Sequence, residues 1–274
     1  MIRILSKGMI TKHFIPYLSQ AHRGFVSKIP LWEVVNAILY KLKTGVQWHL
    51  LPCKSLIRSN KIKYGAVYHH FNKWCKDGSW QKAWTQLLSL HKSLLDLSLL
   101  FMDGTHTPAK RGGESVAYQG RKKSKTSNTV WLTDRQGNIV GFLPPVSGNH
   151  NDLFELEKHL EHLIGILNQC AIAVDGLFLN ADAGFYSKSL EKLCFKYGVI
   201  MNVPPNQRNS KHLEEYGDCF DELMYKERFV IERTNAWMDS CRTILNRFDT
   251  TWLSWNAWHY IFAMLSWIKN LSKV

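Results

Sequence analysis

The first third of this 274-residue sequence almost lacks acidic residues. Residues 1–95 contain 15 lysines and arginines but only two acids, Glu33 and Asp77, whereas basic and acidic side chains balance in the rest of the chain. The net charge of +13 therefore lies at one end of the sequence. This distribution favours a polyanion-binding module, with nucleic acid as the ligand, beside a neutral module. A basic surface that only keeps the protein soluble is the alternative.

Four further features are missing, and each argues against a class of protein. No apolar run reaches the roughly 18 residues that a membrane-spanning helix needs, and no signal peptide is recognisable. The six cysteines form no CxxC pair, and no histidine pair has zinc-finger spacing. We therefore expect a cytosolic protein without membrane segments, whose cysteines are buried, reduced thiols.

Helical periodicity dominates residues 30–95. Apolar residues after Pro30 follow helical spacing on one face until Gly45, a residue that commonly ends helices. A second helix is predicted over about 63–76, and Ser79 is a suitable N-cap for a third. The inner face of the second helix is predicted to hold Tyr64, Val67, Tyr68, Phe71 and Cys75, and its other positions include Lys63, Lys73 and Lys76.

Three short helices with a basic middle one are typical of a small DNA-binding domain of the helix-turn-helix type. We therefore predict that residues 1–95 form an all-helical DNA-binding domain in which those three lysines contact DNA. A plain helical bundle is the alternative.

Short apolar runs alternate with amphipathic segments after residue 95. The runs predict strands over 99–102, 129–133, 139–146, 176–180 and 199–203. The amphipathic segments predict helices over 152–168, 187–197, 229–247 and 255–270, while 106–128 is predicted to be loop. This order indicates an α/β domain over 96–274, an α+β mixed sheet in which a hairpin is followed by alternating strands and helices.

Three acidic residues stand in distinctive settings. Asp103 and Asp182 each follow an apolar run, as if at the end of a strand, and glycine follows each soon after. Glu232 lies near the start of the segment 229–247. Three carboxylates held together bind hard divalent metals, and two-metal sites cut and join phosphodiester bonds. On an ideal helix Glu232 lies nearly opposite the apolar stripe that begins at Val230, so an exposed surface glutamate is the alternative.

Two other motifs allow a functional and a structural interpretation. A basic stretch after Asp103, opposed only by Glu114, is predicted to contact the DNA backbone rather than form a solvated loop. Its members are Lys110, Arg111, Arg121, Lys122, Lys123 and Lys125. Asp152 followed by Glu155 has the spacing of a helix-capping box, which we favour over a role beside the active site.

Several segments together resemble bacterial insertion-sequence transposases of the DDE superfamily. They are MDGTHTPAKRGGE, GRKKSKTSN, SGNHND, NADAGF and YKERFVIERTNAW, and GVQWHLLP resembles part of the short N-terminal domain of that group. The resemblance covers roughly residues 25–270. It implies an RNase H-like catalytic domain in 96–274, preceded by the helical DNA-binding domain in 1–95.

The resemblance also implies roles for individual residues. Asp103, Asp182 and Glu232 would bind two Mg²⁺ or Mn²⁺ ions, and Tyr225 and Arg228 would contact DNA near the cut. The family's lysine seven residues after the glutamate is absent, since position 239 is Asp. Its grip on the DNA backbone would pass to Arg233 or to Arg242, which an unbroken helix places within about 80° of Glu232.

The implied activity is that of a bacterial DNA transposase. Such a protein binds the terminal inverted repeats of its element, cleaves them with metal ions and joins the 3′ ends to target DNA. It would work on double-stranded DNA as a homodimer or larger assembly, in the cytoplasm with the nucleoid. A catalytically inactive, transposase-derived DNA-binding protein and a metal-dependent nuclease without strand transfer are the alternatives.

Overall fold

The computed structural model of the protein describes residues 1–20, 29–58, 62–204 and 220–271. The chain divides into two compact units. Unit 1 contains Met1–Leu87, Ala109–Glu114 and Met238–Val274, and unit 2 contains Leu88–Pro108 and Ser115–Trp237. The units differ from the predicted division at residue 95, because the last part of the chain groups with the N-terminal helices. The assignment of DNA binding to 1–95 and chemistry to 96–274 stays a prediction.

Helices and strands account for most of the described chain. The α-helices are α1 (Lys7–His13), α2 (Leu31–Thr44), α3 (Cys53–Leu56), α4 (Tyr64–Lys76), α5 (Ser79–His91), α6 (Leu156–Gln169), α7 (Lys188–Lys196), α8 (Glu222–Lys226), α9 (Phe229–Asp239), α10 (Arg242–Leu245) and α11 (Trp252–Leu271). The strands are β1 (Leu100–Pro108), β2 (Ala117–Gln119), β3 (Ser124–Thr133), β4 (Ile139–Phe142), β5 (Val146–Ser147), β6 (Phe178–Asn180) and β7 (Ile200–Asn202). Short 3₁₀ turns lie at Ile15–Tyr17, Trp48–Leu50, Lys92–Leu94 and Ala183–Phe185.

The three helices predicted for residues 30–95 are confirmed as α2, α4 and α5. Gly45 ends α2 in the left-handed conformation, with φ of +67°, as helix-ending glycines commonly do. The inner face of α4 is partly wrong, because Tyr64 and Tyr68 are each 41% exposed. Trp74, which was not predicted, is fully buried instead and packs edge-on against Trp80.

Unit 2 contains a mixed sheet in the strand order β2-β3-β1-β6-β7, with β4 and β5 also paired to β3. The first pairs are antiparallel, whereas β1–β6 and β6–β7 are parallel. The chain therefore makes hairpins first and crossover connections afterwards. This topology confirms the predicted α/β class with a mixed sheet.

Successive residues of β1 point to opposite faces of the sheet, as the pleat of a strand requires. On one face, Leu99 and Phe101 form a buried cluster with Val230 and Ile231 of α9. On the other face, Leu100 lines an apolar cavity with residues of α6 and α7, among them Leu163 and Leu193. The sheet thus separates α9 from α6 and α7, and Asp103 lies on the α9 face with Phe101.

The prediction of a loop over 106–128 is wrong. β1 continues past Asp103 to Pro108, and the segment also contains β2 and the start of β3. Between β1 and β2, the backbone N–H groups of Lys110 and Glu114 donate to the carbonyls of Arg247 and Thr250 at 2.9 and 2.8 Å. Hydrogen bonds to the segment after α10 therefore hold the glycine-rich segment within unit 1.

The single helix predicted over 229–247 is also wrong. α9 ends at Asp239, and Cys241 is extended before α10 begins. Polar contacts with α2 account for the break: Lys43 Nζ donates to Ser240 Oγ at 2.8 Å, and Thr243 Oγ1 donates to the Lys41 carbonyl at 2.8 Å. The predicted apolar stripe fails at its far end, where Phe248 is 49% exposed.

The five cysteines in the described part of the chain are buried and outside disulfide bonds, as predicted. Cys219 lies outside the described residues. None of the helices in those same stretches is both long and apolar enough to cross a bilayer.

Candidate functional site

Asp103 lies on β1, and Asp182 lies at the matching position two residues past the end of the neighbouring strand β6. The parallel register pairs Leu100 with Leu179 and Phe101 with Asn180. Continued by two residues, the same register sets Asp103 beside Asp182, just beyond the end of β6. Adjacent strands are about 4.8 Å apart, and paired residues project from the same face of the sheet. The structure therefore brings the two aspartates together on the face that α9 covers.

The Asp103 carboxylate contacts two side chains from the α9 region. Asn235 Nδ2 donates a hydrogen bond to Asp103 Oδ2 at 2.8 Å, and Arg228 Nη2 lies 3.9 Å from Oδ1. Burial raises the pKa of the Asp103 carboxyl above its ordinary value, and the negative charge of Asp182 raises it further. Arg228, the Gly104 N–H and Asn235 oppose that rise. The site thus holds two like charges that a cation would stabilise.

Tyr225 and Arg228 belong to the same cluster. Arg228 Nη1 donates to Tyr225 Oη at 3.1 Å, and the guanidinium lies 5.4 Å from the centre of the tyrosine ring. A continuous polar chain therefore runs from Tyr225 through Arg228 to Asp103. Whether these two residues also contact DNA stays a prediction.

Glu232 is exposed on α9. At 100° per residue it lies about 60° from Asn235 around the axis of α9. Asn235 contacts Asp103, so Glu232 lies next to the side of the helix that faces this carboxylate. Even so, in the described stretches no three His, Cys, Asp or Glu side chains are grouped closely enough to hold one metal ion. The aspartates meet in the structure, and Glu232 does not join them.

A short polar chain fixes the entry to α8. Asn202, at the end of β7, donates from Nδ2 to Asn180 Oδ1 at 2.7 Å and to the Asp221 carbonyl at 3.0 Å. Its Oδ1 accepts from the Asp221 N–H at 2.8 Å, and the Asp221 side chain caps α8 by accepting from the Met224 N–H. Two strand ends beside Asp182 thus anchor the segment that leads into α9.

The turn between β3 and β4 holds α9 from the other side. Arg135 makes two 2.8 Å hydrogen bonds to the Glu227 carboxylate, and Thr234 Oγ1 donates to the Gly137 carbonyl at 3.2 Å. Buried Asp134 organises this turn by accepting from three N–H groups and one side-chain amide. Arg233, predicted to grip DNA, donates to the Gln136 carbonyl at 3.2 Å and so braces the same turn.

Asp152 supports β1 from the opposite face of the sheet. Its Oδ1 accepts from Asn128 Nδ2 at 2.7 Å, and a Cβ added to Gly104 would lie only 2.3 Å from that oxygen. The predicted capping box is wrong, because Glu155 occupies the N-cap of α6 with φ of +49° and no side chain caps that helix. Asp152 instead holds the strand residue that directly follows Asp103.

The basic residues predicted to contact DNA lie in different surroundings. Lys63, the residue before α4, and Lys76, the last residue of α4, are exposed, whereas Lys73 donates to the Ser19 carbonyl at 3.2 Å. Lys122, Lys123 and Lys125 are exposed around the β2–β3 turn. Arg242 begins α10 in unit 1, so the angular argument that linked it to Glu232 along one helix fails.

Sequence reasoning missed Asn235 and assigned Asp152 to a helix cap in preference to a role beside the active site. Asn235 carries a detectable signal, because it lies seven residues after Arg228 and three after Glu232, on the same side of a helix. For Asp152 the signal was ambiguous, since Asp-x-x-Glu spacing before a helix normally indicates a cap.

Two family models match the chain. The model of DUF4096, described as a transposase of the IS4/5 family, matches residues 10–84, and the model "Transposase DDE domain" matches residues 95–267. No curated protein matches the chain.

Several solved structures of Mos1 transposase are distantly similar. The Mos1 paired-end complex with the left transposon end has 10% identity and a TM-score of 0.30, with 83% of each chain covered. The Mos1 Strand Transfer Complex has 9% identity and a TM-score of 0.29, covering 84% of this chain and 83% of that one. Similarity at this level is too weak to bear on the fold or the function.

The family assignment rests on the second family model, which alone spans well over half of the sequence. It agrees with the RNase H-like mixed α/β fold expected for this region and with the aspartate pair on its neighbouring strands. The chain therefore belongs to the DDE transposase family, and it is an enzyme that acts on DNA.

Proposed function

We propose that this transposase binds the terminal inverted repeats of an insertion sequence, cleaves the DNA at those ends and joins the freed 3′ ends to target DNA. The observation that carries the proposal is the position of Asp103 beside Asp182, with Arg228 and Asn235 in contact with the Asp103 carboxylate. Phosphodiester chemistry with divalent ions uses such a set of carboxylates, and we propose Glu232 of α9 as its third member.

The oxygen groups beside Asp103 suit Mg²⁺ or Mn²⁺ chemically. Carboxylate oxygens are the ligands that these hard cations prefer, and the Asn235 Oδ1 atom is buried without a hydrogen-bond partner among the described residues. Asp103 and Asp182 would hold the ions, with Glu232 as the third carboxylate ligand. When bound, the ions would activate a water or a 3′-hydroxyl and stabilise the leaving oxygen.

The protein's own groups position the reaction. The contacts of Asn202 and Arg135 hold the α8–α9 segment, which carries Glu232. Arg228, already directed at Asp103, is suited to contact a phosphate next to the cut. Tyr225 supports the guanidinium through its hydroxyl and its ring.

Exposed cations would supply most of the affinity for DNA. Lys63 and Lys76 at the ends of α4 and Lys122, Lys123 and Lys125 on the β2–β3 turn are free of the ion pairs that the structure describes. Such contacts to phosphates position the duplex and carry no base information. A homodimer or larger assembly would hold two element ends together in the bacterial cytoplasm.

A cleavage assay tests the proposal. Duplexes from the DNA that flanks the coding region are incubated in Mg²⁺ with the wild-type protein, Asp182→Ala and the control Glu157→Gln, whose side chain lies on α6. We expect strand cleavage by the wild-type protein and the control and none by Asp182→Ala. Equal cleavage by all three would reject the proposed site, and cleavage without joined product in a plasmid strand-transfer assay would indicate a nuclease.

A further inference from the structure

Asn235 contacts Asp103 in a way that the family resemblance did not indicate. Its Nδ2 atom lies 2.8 Å from Asp103 Oδ2 and is the one side-chain amide that donates to this carboxylate in the described chain. The assignment of nitrogen and oxygen follows from chemistry, because an ionised carboxylate accepts hydrogen bonds and cannot donate one. The Asn235 amide therefore orients the Asp103 carboxylate through Oδ2 and leaves Asp103 Oδ1 for other partners.

The other half of the Asn235 amide is unused. Asn235 Oδ1 is buried and has no hydrogen-bond partner among the described residues. A buried acceptor without a partner costs about 1–3 kcal/mol, so proteins rarely leave one unless another group uses it. An ion held at Asp103 would carry waters, and such waters could donate to this oxygen.

Contacts on either side of Asn235 hold α9, the helix that carries this amide. The Thr234 hydroxyl donates to the Gly137 carbonyl, and Ile231, one turn before Asn235, belongs to the buried cluster on the sheet. α9 is held at its start by the Arg135–Glu227 pair. The amide is therefore presented to Asp103 by a fixed helix.

We propose that Asn235 is a positioning residue of the metal site: it orients the Asp103 carboxylate through Nδ2 and offers Oδ1 to a water on the bound ion. The inference rests on the proposed function. An asparagine that only fills space would not affect metal binding in this way. Groups that hydrogen-bond metal ligands typically change metal affinity or activity by about 10- to 100-fold when they are removed.

Mn²⁺ binding, followed by electron paramagnetic resonance without DNA, tests this role. We expect Asn235→Ala to raise the dissociation constant for Mn²⁺ by about 10- to 100-fold. The matched control Asn168→Ala removes an exposed asparagine from α6 and should bind Mn²⁺ like the wild-type protein. Asp103→Asn should abolish Mn²⁺ binding, which locates the measured site. If Asn235→Ala then bound Mn²⁺ with wild-type affinity, the inference would be overturned.

A second variant guards against loss of folding. Asn235→Asp keeps the shape of the side chain but sets a carboxylate against Asp103, so the metal-free protein should melt at a lower temperature and gain more than the wild-type protein from added Mn²⁺. If Asn235 had only a structural role, Mn²⁺ would raise the melting temperature of Asn235→Asp and of the wild-type protein by the same amount. Failure of the proposed function is distinguishable, because the wild-type protein and Asp103→Asn would then be alike in binding no Mn²⁺.

Discussion

Gly104 shows how a missing side chain positions a reactive one. The residue follows Asp103 in β1, and Asp152 occupies the space where a Cβ would lie. Its backbone is not in the left-handed region, so the requirement for glycine comes from this contact alone. The position of the Asp103 carboxylate thus depends on a residue from the far face of the sheet.

Gly104→Ala should destabilise unit 2 by about 1–3 kcal/mol, because the new methyl group overpacks against Asp152. Urea denaturation would measure the loss. The double variant Gly104→Ala/Asp152→Ala removes the obstructing carboxylate, and we expect a coupling energy of at least about 1 kcal/mol between the sites. Strictly additive effects would show that the two residues do not interact.

His259 makes the stability of unit 1 dependent on pH. The imidazole is fully buried against Trp255, with Nδ1 2.8 Å from the Trp255 carbonyl, and burial lowers its pKa to about 3. A histidine in the unfolded chain titrates near 6.5, so acidification favours unfolding. The stabilisation is complete above about pH 6.5 and declines progressively toward pH 3.

Between pH 7.5 and pH 5.0 this difference amounts to about 2 kcal/mol, at 1.36 kcal/mol for each pKa unit. Urea denaturation at both pH values would measure it. The variant His259→Gln should lose most of that pH dependence even if it is less stable overall. An unchanged pH dependence in the variant would assign the effect to other groups.

At the scale of secondary structure, α9 is defined by its contacts as much as by its sequence. Its start could be predicted, because Glu232 and the residues around it follow helical periodicity. Its end could not, because Lys43 and Lys41 of α2 bond Ser240 and Thr243, and no local pattern reveals those contacts. The same limit explains β1, where pairing with β3 carries the strand through a polar sequence to Pro108.

Asn202→Ala tests whether the end of β7 positions α8 and α9. The change removes three hydrogen bonds and leaves the Asp221 N–H and the buried Asn180 Oδ1 without their partner. We expect a loss of about 2–3 kcal/mol in unfolding free energy. The rate of DNA cleavage per folded molecule should also fall, because the segment that carries Glu232 is then less firmly held. Full activity per folded molecule would contradict the positioning role.

For the molecule as a whole, the sequence was most informative about features that depend on many residues at once. Net charge, the order of strands and helices, and the motifs around Asp103 and Asp182 predicted a basic helical module and a mixed α/β sheet. Contacts between distant segments could not be predicted, and these include Asn235 on Asp103, Asp152 on Gly104 and the grouping of α11 with the N-terminal helices.

Charge also sets an expectation for DNA binding. Each phosphate that a lysine neutralises contributes about −0.9 to the slope of log K against log salt concentration. Replacing both Lys63 and Lys76 with alanine should therefore make that slope shallower by up to about 2. Lys158→Ala on α6, which removes the ion pair with Glu155, is the control and should leave the slope unchanged. Equal slopes in all three proteins would exclude α4 from the interface.

The central claim is that Glu232 acts with Asp103 and Asp182 on one pair of metal ions. The most direct measurement compares Mg²⁺-dependent cleavage of element-end DNA by the wild-type protein and by Glu232→Gln, with DNA binding matched. We predict a loss of at least about 10³-fold in the cleavage rate. When catalytic residues act as a unit, removing one of them loses most of the rate enhancement that the unit supplies. Cleavage by Glu232→Gln at the wild-type rate would contradict the account.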